Sequence, residues 1–144
     1  MKRDSKTLTI EDLVGAGVGE ADAGDIVRLG LPVGRVGHLL CQPRQGDLLV
    51  LAYDADVPLV VEGGQVLAVD GTDRLVNTSV KAFVSVVERY ARYVDEVVQS
   101  SSEDEGERIA QEAASEMKEL DPIAFATDVG YWPIVCTQMV EGHL

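Results

Sequence analysis

The chain has 144 residues, of which 46% are hydrophobic and 26% charged, and 12 basic against 25 acidic residues give a formal net charge of −13. This length suits one domain that buries about two-thirds of its unfolded surface, so folding needs neither a metal nor a disulfide. The acidity excludes nucleic acid and anionic membranes as partners, because both are bound largely through Lys and Arg. It favours a cationic partner, and acidity that serves only solubility is the open alternative.

We expect no secretory signal, because the basic residues 1–6 are not followed by an apolar segment. No apolar run approaches the ~20 residues that span a bilayer, so we expect a cytoplasmic protein. Cys41 and Cys136 both lie among apolar residues, which favours buried free thiols over a disulfide. No Cys-x-x-Cys pair suggests zinc, and we expect no cofactor.

Short helical pieces broken by glycines are predicted for residues 8–31. Asp22 or Asp25 would cap a helix that stops at Gly30. Leu31 then precedes Pro32, which forces an extended exit from this region.

Residues 36–76 read as a meander of short Val- and Leu-rich strands separated by Asp- and Gly-containing turns. The short spacings are typical of hairpins and predict antiparallel pairing. The five candidate strands are residues 36–40, 48–53, 59–61, 65–69 and 74–76.

From residue 78 the apolar residues recur at helical spacing. The first predicted helix is N-capped within residues 77–79, and its apolar stripe should pack on the sheet, with a partner groove as the alternative. A second helix is expected from about Asp104 to Leu120. Asp121-Pro122 then either ends this helix or caps a new short one, and a last helix is expected from Tyr131 to Val140. The predicted inward-facing residues are Val80, Phe83, Val84, Val87, Ala91, Val94 and Val98, then Ile109, Ala113, Met117 and Leu120, and finally Trp132, Val135, Cys136, Met139 and Val140.

Helices, then consecutive strands, then consecutive helices indicate an α+β domain rather than alternating α/β. We therefore expect a single domain over residues 1–144. Its central sheet should be mostly antiparallel, with about five short strands flanked by N-terminal and C-terminal helices.

No motif in the chain carries catalytic chemistry, so we expect a protein that is not an enzyme. His38 falls inside a predicted strand and His143 is the penultimate residue, so neither is expected to act as a general base. The glycine-rich residues 15–19 lack the Gly-Lys-Ser/Thr ending of a phosphate loop. The aspartates of residues 54–56 and 70–73 lack the remaining ligands of a calcium loop, and turn formation explains them.

Two groups of acidic residues stand out in the sequence. Those of residues 103–121 are expected to form a solvated helix face. The others follow the predicted hairpin turns, which can bring acids together along one edge of the sheet. This second group is the candidate binding surface for a basic partner, and its members are Asp54, Asp56, Glu62, Asp70 and Asp73.

Three stretches of the chain match a known pattern in order and spacing. They are Gly30-Leu31-Pro32, then residues 65–71 leading into residues 74–83, and finally residues 119–125 followed by residues 130–135. Together, from about Asp25 to Val140, they resemble the SUKH superfamily of bacterial immunity proteins, specifically its fourth subfamily. The first 24 residues lie outside this resemblance.

The resemblance implies a non-enzymatic α+β domain that protects the producing cell by binding a cognate polymorphic toxin. The toxins of this superfamily are often nucleases or nucleic-acid deaminases, and a basic active site of that kind would attract an acidic inhibitor. Two alternatives stay open: a regulatory interaction domain of the same fold without a toxin partner, and a small enzyme or ligand binder. The sequence does not indicate an oligomeric state.

Overall fold

Seven β-strands and five α-helices form the part of the chain that the computed structural model describes, residues 1–5 and 8–142. The strands are β1 (Lys2–Asp4), β2 (Leu31–Val36), β3 (Leu39–Gln45), β4 (Leu49–Asp54), β5 (Val57–Glu62), β6 (Gln65–Val69) and β7 (Asp73–Asn77). The helices are α1 (Ile10–Gly15), α2 (Glu20–Leu29), α3 (Val80–Val98), α4 (Glu103–Leu120) and α5 (Tyr131–Glu141), with a 3-10 helix at Pro122–Phe125.

The strands form one antiparallel sheet in the order β1 to β7, so each strand pairs only with its neighbours in the chain. The α+β class and the antiparallel sheet are confirmed. The expected strand number of about five is wrong, because the sheet has seven.

The candidate strand at residues 36–40 is a hairpin turn between two strands. Val36 ends β2 and pairs with Leu39, the first residue of β3. Gly37 between them has a φ of 56°, a left-handed conformation that lets the chain reverse here. His38 therefore lies in a turn, not within a strand as predicted.

The N-terminal region begins with helical pieces as predicted, but their start differs. Gly19 is the N-cap of α2, so neither Asp22 nor Asp25 caps it, while Gly30 ends it as expected. Leu31 and Pro32 open β2, which confirms the extended exit. The short strand β1 pairs with β2 and consists of charged residues, so no hydrophobic alternation marks it in the sequence.

The core lies between the helices and one face of the sheet. Helix α3 contacts β2, β6 and β7, which confirms that its stripe packs on the sheet. Two residues predicted to face inward do not, since Val98 is 75% and Leu120 is 45% exposed. Both belong to the last turns of their helices, where the helix has run past the core.

The meander gives the sheet two ends, about 17–20 Å apart for strands of this length. The "His38 end" carries the β2–β3, β4–β5 and β6–β7 turns, at residues 37–38, 55–56 and 70–72. The "Asn77 end" carries the β3–β4 and β5–β6 turns and the end of β7. At the Asn77 end, Gly64 N donates to Ala16 O at 2.8 Å and holds the loop after α1 against the β5–β6 turn.

Candidate functional site

Four of the five candidate binding acids share the His38 end of the sheet. Asp54 pairs with Val57 across the β4–β5 turn that contains Asp56, and Asp73 pairs with Val69 across the turn that contains Asp70. Asp56, Asp70 and Asp73 are exposed, and Asp54 is half-buried. The register thus brings four carboxylates to one end of the molecule.

Glu62 lies at the opposite end, where it pairs with Gln65 across the β5–β6 turn. It lines a cleft of about 530 Å³ together with Glu11, Asp12 and Asp47. Asp12 also belongs to the capping box of α1, where it accepts a hydrogen bond from Thr9 N at 3.0 Å. The five predicted acids therefore form no single patch.

Asp54 is tied into a cluster of aromatic side chains. The Tyr131 hydroxyl donates to Asp54 Oδ2 at 2.8 Å and lies 2.8 Å from Nε2 of His38. Because Tyr131 has only one O–H and donates it to the carboxylate, the Tyr131 oxygen accepts a hydrogen bond from Nε2–H of His38. Nδ1 of the same ring lies 2.8 Å from the Tyr90 hydroxyl and accepts a hydrogen bond from it. These bonds join the β2–β3 turn, β4, α3 and α5.

The imidazole of His38 is neutral in this cluster. Burial lowers the pKa of His38, and the opposing attraction of Asp54, whose Oδ2 lies 3.6 Å from Nε2, is the smaller effect. Burial also raises the pKa of Tyr90 to about 12 and raises that of Tyr131, so both hydroxyls keep their protons. Because tyrosines occupy both ring nitrogens, neither is available as a general base for a substrate.

A surface groove adjoins this cluster on the β7 side. It has a volume of about 300 Å³ and lies between β7 and the segment of residues 123–130. Arg74 lies over the Tyr131 ring at 5.7 Å from its centroid and forms part of the groove. Ile123 and Val129 also line it and are 68% and 77% exposed. We define these lining residues as the β7 groove.

Sequence reasoning missed this groove. The signal was present as two large apolar residues in a turn-rich stretch, Ile123 after a proline and Val129 after an aspartate. Two large apolar residues close together in such a stretch can form an exposed apolar patch, and patches of this kind often mark interaction sites.

The acids of residues 103–121 do not all belong to a solvated face. Asp121 is only 4% exposed and accepts hydrogen bonds from Asn77 Nδ2 and from Thr78 N and Oγ1, each at 2.9 Å. Glu116 accepts from Arg89 Nε at 2.6 Å, and this bond lowers the pKa of Glu116. Both acids therefore hold the fold together, which the expected solvated face does not account for.

Among the residues described, no His, Cys, Asp or Glu side chains cluster in a way that could hold a metal ion. Within the same ranges, no helix has the length and apolar character needed to cross a membrane. His143 lies outside the described residues.

The comparisons with known proteins give one family. A family model described as SUKH-4 immunity protein matches residues 6–138, which is nearly the whole chain. No curated protein and no solved structure gives a significant match.

Proposed function

Because the chain belongs to the SUKH-4 immunity protein family, we propose that it neutralises a cognate protein toxin by binding it directly in the cytoplasm. The family indicates a toxin immunity role in general. The toxin class we propose is a nuclease or nucleic-acid deaminase, whose active site must be basic to hold its substrate.

The observation that carries this proposal is the position of the exposed carboxylates of Asp56, Asp70 and Asp73. Asp56 and Asp70 lie in two neighbouring hairpin turns at one end of the sheet, and Asp73 opens the strand after the second turn, in a chain with a net charge of −13. Carboxylates spaced along a surface can pair with the basic groups that would otherwise contact phosphates. Such pairing also accelerates the encounter with a cationic protein.

The mode of action that we propose is occlusion rather than catalysis. Both nitrogens of His38 are taken by tyrosines. Burial raises the pKa of Cys41 to about 11 and that of Cys136 to about 12, so neither thiol forms a reactive thiolate near neutral pH. The chemistry of these groups therefore suits a binding protein.

The test uses the toxin domain encoded beside the gene of this chain. Co-expression of the two should restore growth, and the purified proteins should form a stable complex by calorimetry. The triple variant Asp56→Asn, Asp70→Asn, Asp73→Asn should weaken this complex by about tenfold or more and lower its salt dependence.

A matched triple variant removes three exposed acids from the helices instead: Asp95→Asn, Asp104→Asn, Glu119→Gln. It changes the net charge equally and should leave the affinity within about twofold. If the wild-type chain forms no complex and gives no protection, a regulatory domain without a toxin partner becomes the better reading.

A further inference from the structure

We propose that the β7 groove, framed by acidic turns, is the central contact of a docking surface for a cationic partner protein, and that an apolar side chain of the partner enters the groove. This rests on the proposed function and identifies where the partner binds. It adds an apolar centre to the carboxylates that the proposed function already uses.

The exposed apolar residues are the first argument. Ile123 and Val129 are 68% and 77% exposed, and both belong to the same groove of about 300 Å³. Leu75 of β7 also forms part of the lining. Protein–protein interfaces commonly place apolar anchors in pockets at their centre, where water is fully excluded.

The charges around the groove are the second argument. Asp73 directly precedes Arg74 of the lining, and Asp128 directly precedes Val129. Both aspartates are exposed, and Asp70 lies in the same turn as Asp73. These acids are chain neighbours of lining residues, and the lining itself carries one charge, that of Arg74. An apolar centre flanked by exposed acids is complementary to a partner that presents an apolar residue among Lys and Arg side chains.

The rigidity of the walls is the third argument. The segment of residues 123–130 is held by backbone bonds from Ala126 N to Ile123 O at 3.2 Å and from Gly130 N to Thr127 O at 3.3 Å. Tyr131, at its end, is fixed by its bond to Asp54. A surface that is already ordered loses little conformational entropy on binding, which favours affinity.

The charge also decides against a second copy of this chain as the occupant. Two copies would bring acidic rims together in a protein whose net charge is −13, and like charges facing each other across an interface are costly. A cationic protein meets a like charge in the groove lining only at Arg74, whose guanidinium lies over the Tyr131 ring.

The decisive experiment compares two variants that alter only exposed side chains. The double variant Ile123→Ser, Val129→Ser removes the apolar anchors. The control Val98→Ser changes a side chain that is 75% exposed at the end of α3, away from the groove. The probe is the toxin domain encoded beside the gene, titrated by calorimetry, with hydrogen exchange of the complex as a second measurement.

We expect the dissociation constant to rise on the order of 10–100-fold for the double variant and to stay within about twofold for Val98→Ser. Residues 70–75 and 122–130 should become protected from exchange in the complex. Circular dichroism and thermal midpoints should match the wild type, which shows that the loss is not one of folding.

Each other outcome overturns a stated claim. A wild-type chain that forms no complex overturns the proposed function and this inference with it. A complex that tolerates the double variant, or that Leu48→Ser at the Asn77 end weakens instead, overturns this inference alone. If light scattering shows a wild-type dimer that the double variant abolishes, the groove binds a second copy and the inference is wrong.

Discussion

The indole nitrogen of Trp132 donates a hydrogen bond to Oδ1 of Asn77 at 2.8 Å, and both side chains are 0% exposed. The amide of Asn77 in turn donates to Asp121 at 2.9 Å. This chain of bonds joins α5, the end of β7 and the end of α4. No buried side-chain nitrogen or oxygen lacks a partner in the described part of the protein, so the network is complete as it stands.

We predict that Asn77→Ala destabilises the protein by about 2–4 kcal/mol, because it leaves the Trp132 N–H without a partner in the core and opens a cavity there. Asp121 Oδ2 loses one of its two hydrogen bonds and keeps the one from Thr78 N. Urea unfolding followed by tryptophan fluorescence measures the change. Gln42→Ala, on the exposed side of β3, is the control and should stay within about 0.5 kcal/mol. Equal effects of the two substitutions would contradict the structural role of the network.

The contact between Gly17 and the β5–β6 turn predicts an intolerance of side chains. A Cβ at Gly17 would lie 2.6 Å from Gly64 N, and Gly17 has a φ of 96°. Gly17→Ala should therefore lower the free energy of unfolding by more than about 2 kcal/mol.

The matched control for this contact is Gly15→Ala in α1, where an added Cβ meets nothing within 4 Å. That substitution should be neutral or stabilise the protein by up to about 1 kcal/mol. Thermal unfolding of both variants compares them directly, and a tolerated Gly17→Ala would show that the loop can move away from the turn.

His38 predicts a loss of stability on mild acidification. Its pKa in the folded protein lies below the ordinary value of 6.5, so the unfolded chain binds a proton more readily. The stabilising contribution of the neutral ring is complete above about pH 6.5 and is lost as the pH falls toward the folded pKa. Urea midpoints measured from pH 7.5 to 5 should fall for the wild type and change less for His38→Gln.

The acids with lowered pKa values act in a separate window. The pKa values of Glu105 and Glu116 lie below the ordinary value of 4.5. Their contributions to folding stability are therefore present above that pH and are lost as the pH falls below it. Parallel pH curves for the wild type and His38→Gln between pH 7.5 and 5 would show that the imidazole is not the group responsible.

The two cysteines should be inert in the folded protein. Burial raises the pKa of Cys41 to about 11 and that of Cys136 to about 12, and both side chains are less than a tenth exposed. A thiol reagent such as DTNB at pH 8 should react with neither in buffer and with both in urea. Fast labelling of the native chain would contradict this prediction.

The sequence predicted the helices α3 to α5 and the strands β4 to β7, and it missed β1, β2 and most of β3. The apolar stripe of α3 and the Val- and Leu-rich run of β6 are strong enough to read directly, and turn chemistry places their ends near Ser79 and Asp70. The strands β1 and β2 escaped prediction because β1 is charged and β2 contains Gly34 at a φ of 89°. Their pairing depends on tertiary context rather than on local pattern.

The hairpins of the sequence predict which acids lie in turns, but they do not predict the long-range contacts of the candidate site. Because the chain reverses at every hairpin, successive turns lie at opposite ends of the sheet. Asp54 and Asp73 therefore lie at one end and Glu62 at the other, which the turn residues alone do not reveal. The bond from Tyr131 to Asp54 joins positions 77 residues apart, and no local pattern encodes it. Asn77 looked like a cap, yet its amide binds Trp132 while Ser79 caps α3.

The order of the strands also determines how independently the turns at the His38 end can be altered. The β4–β5 and β6–β7 turns are closed by separate strand pairs, and between them residues 59–62 of β5 pair with residues 65–68 of β6. A change at Asp56 therefore leaves the geometry of Asp70 intact, and the two should contribute additively to stability. With this connectivity, substitutions can accumulate in one turn while the neighbouring turn keeps its shape.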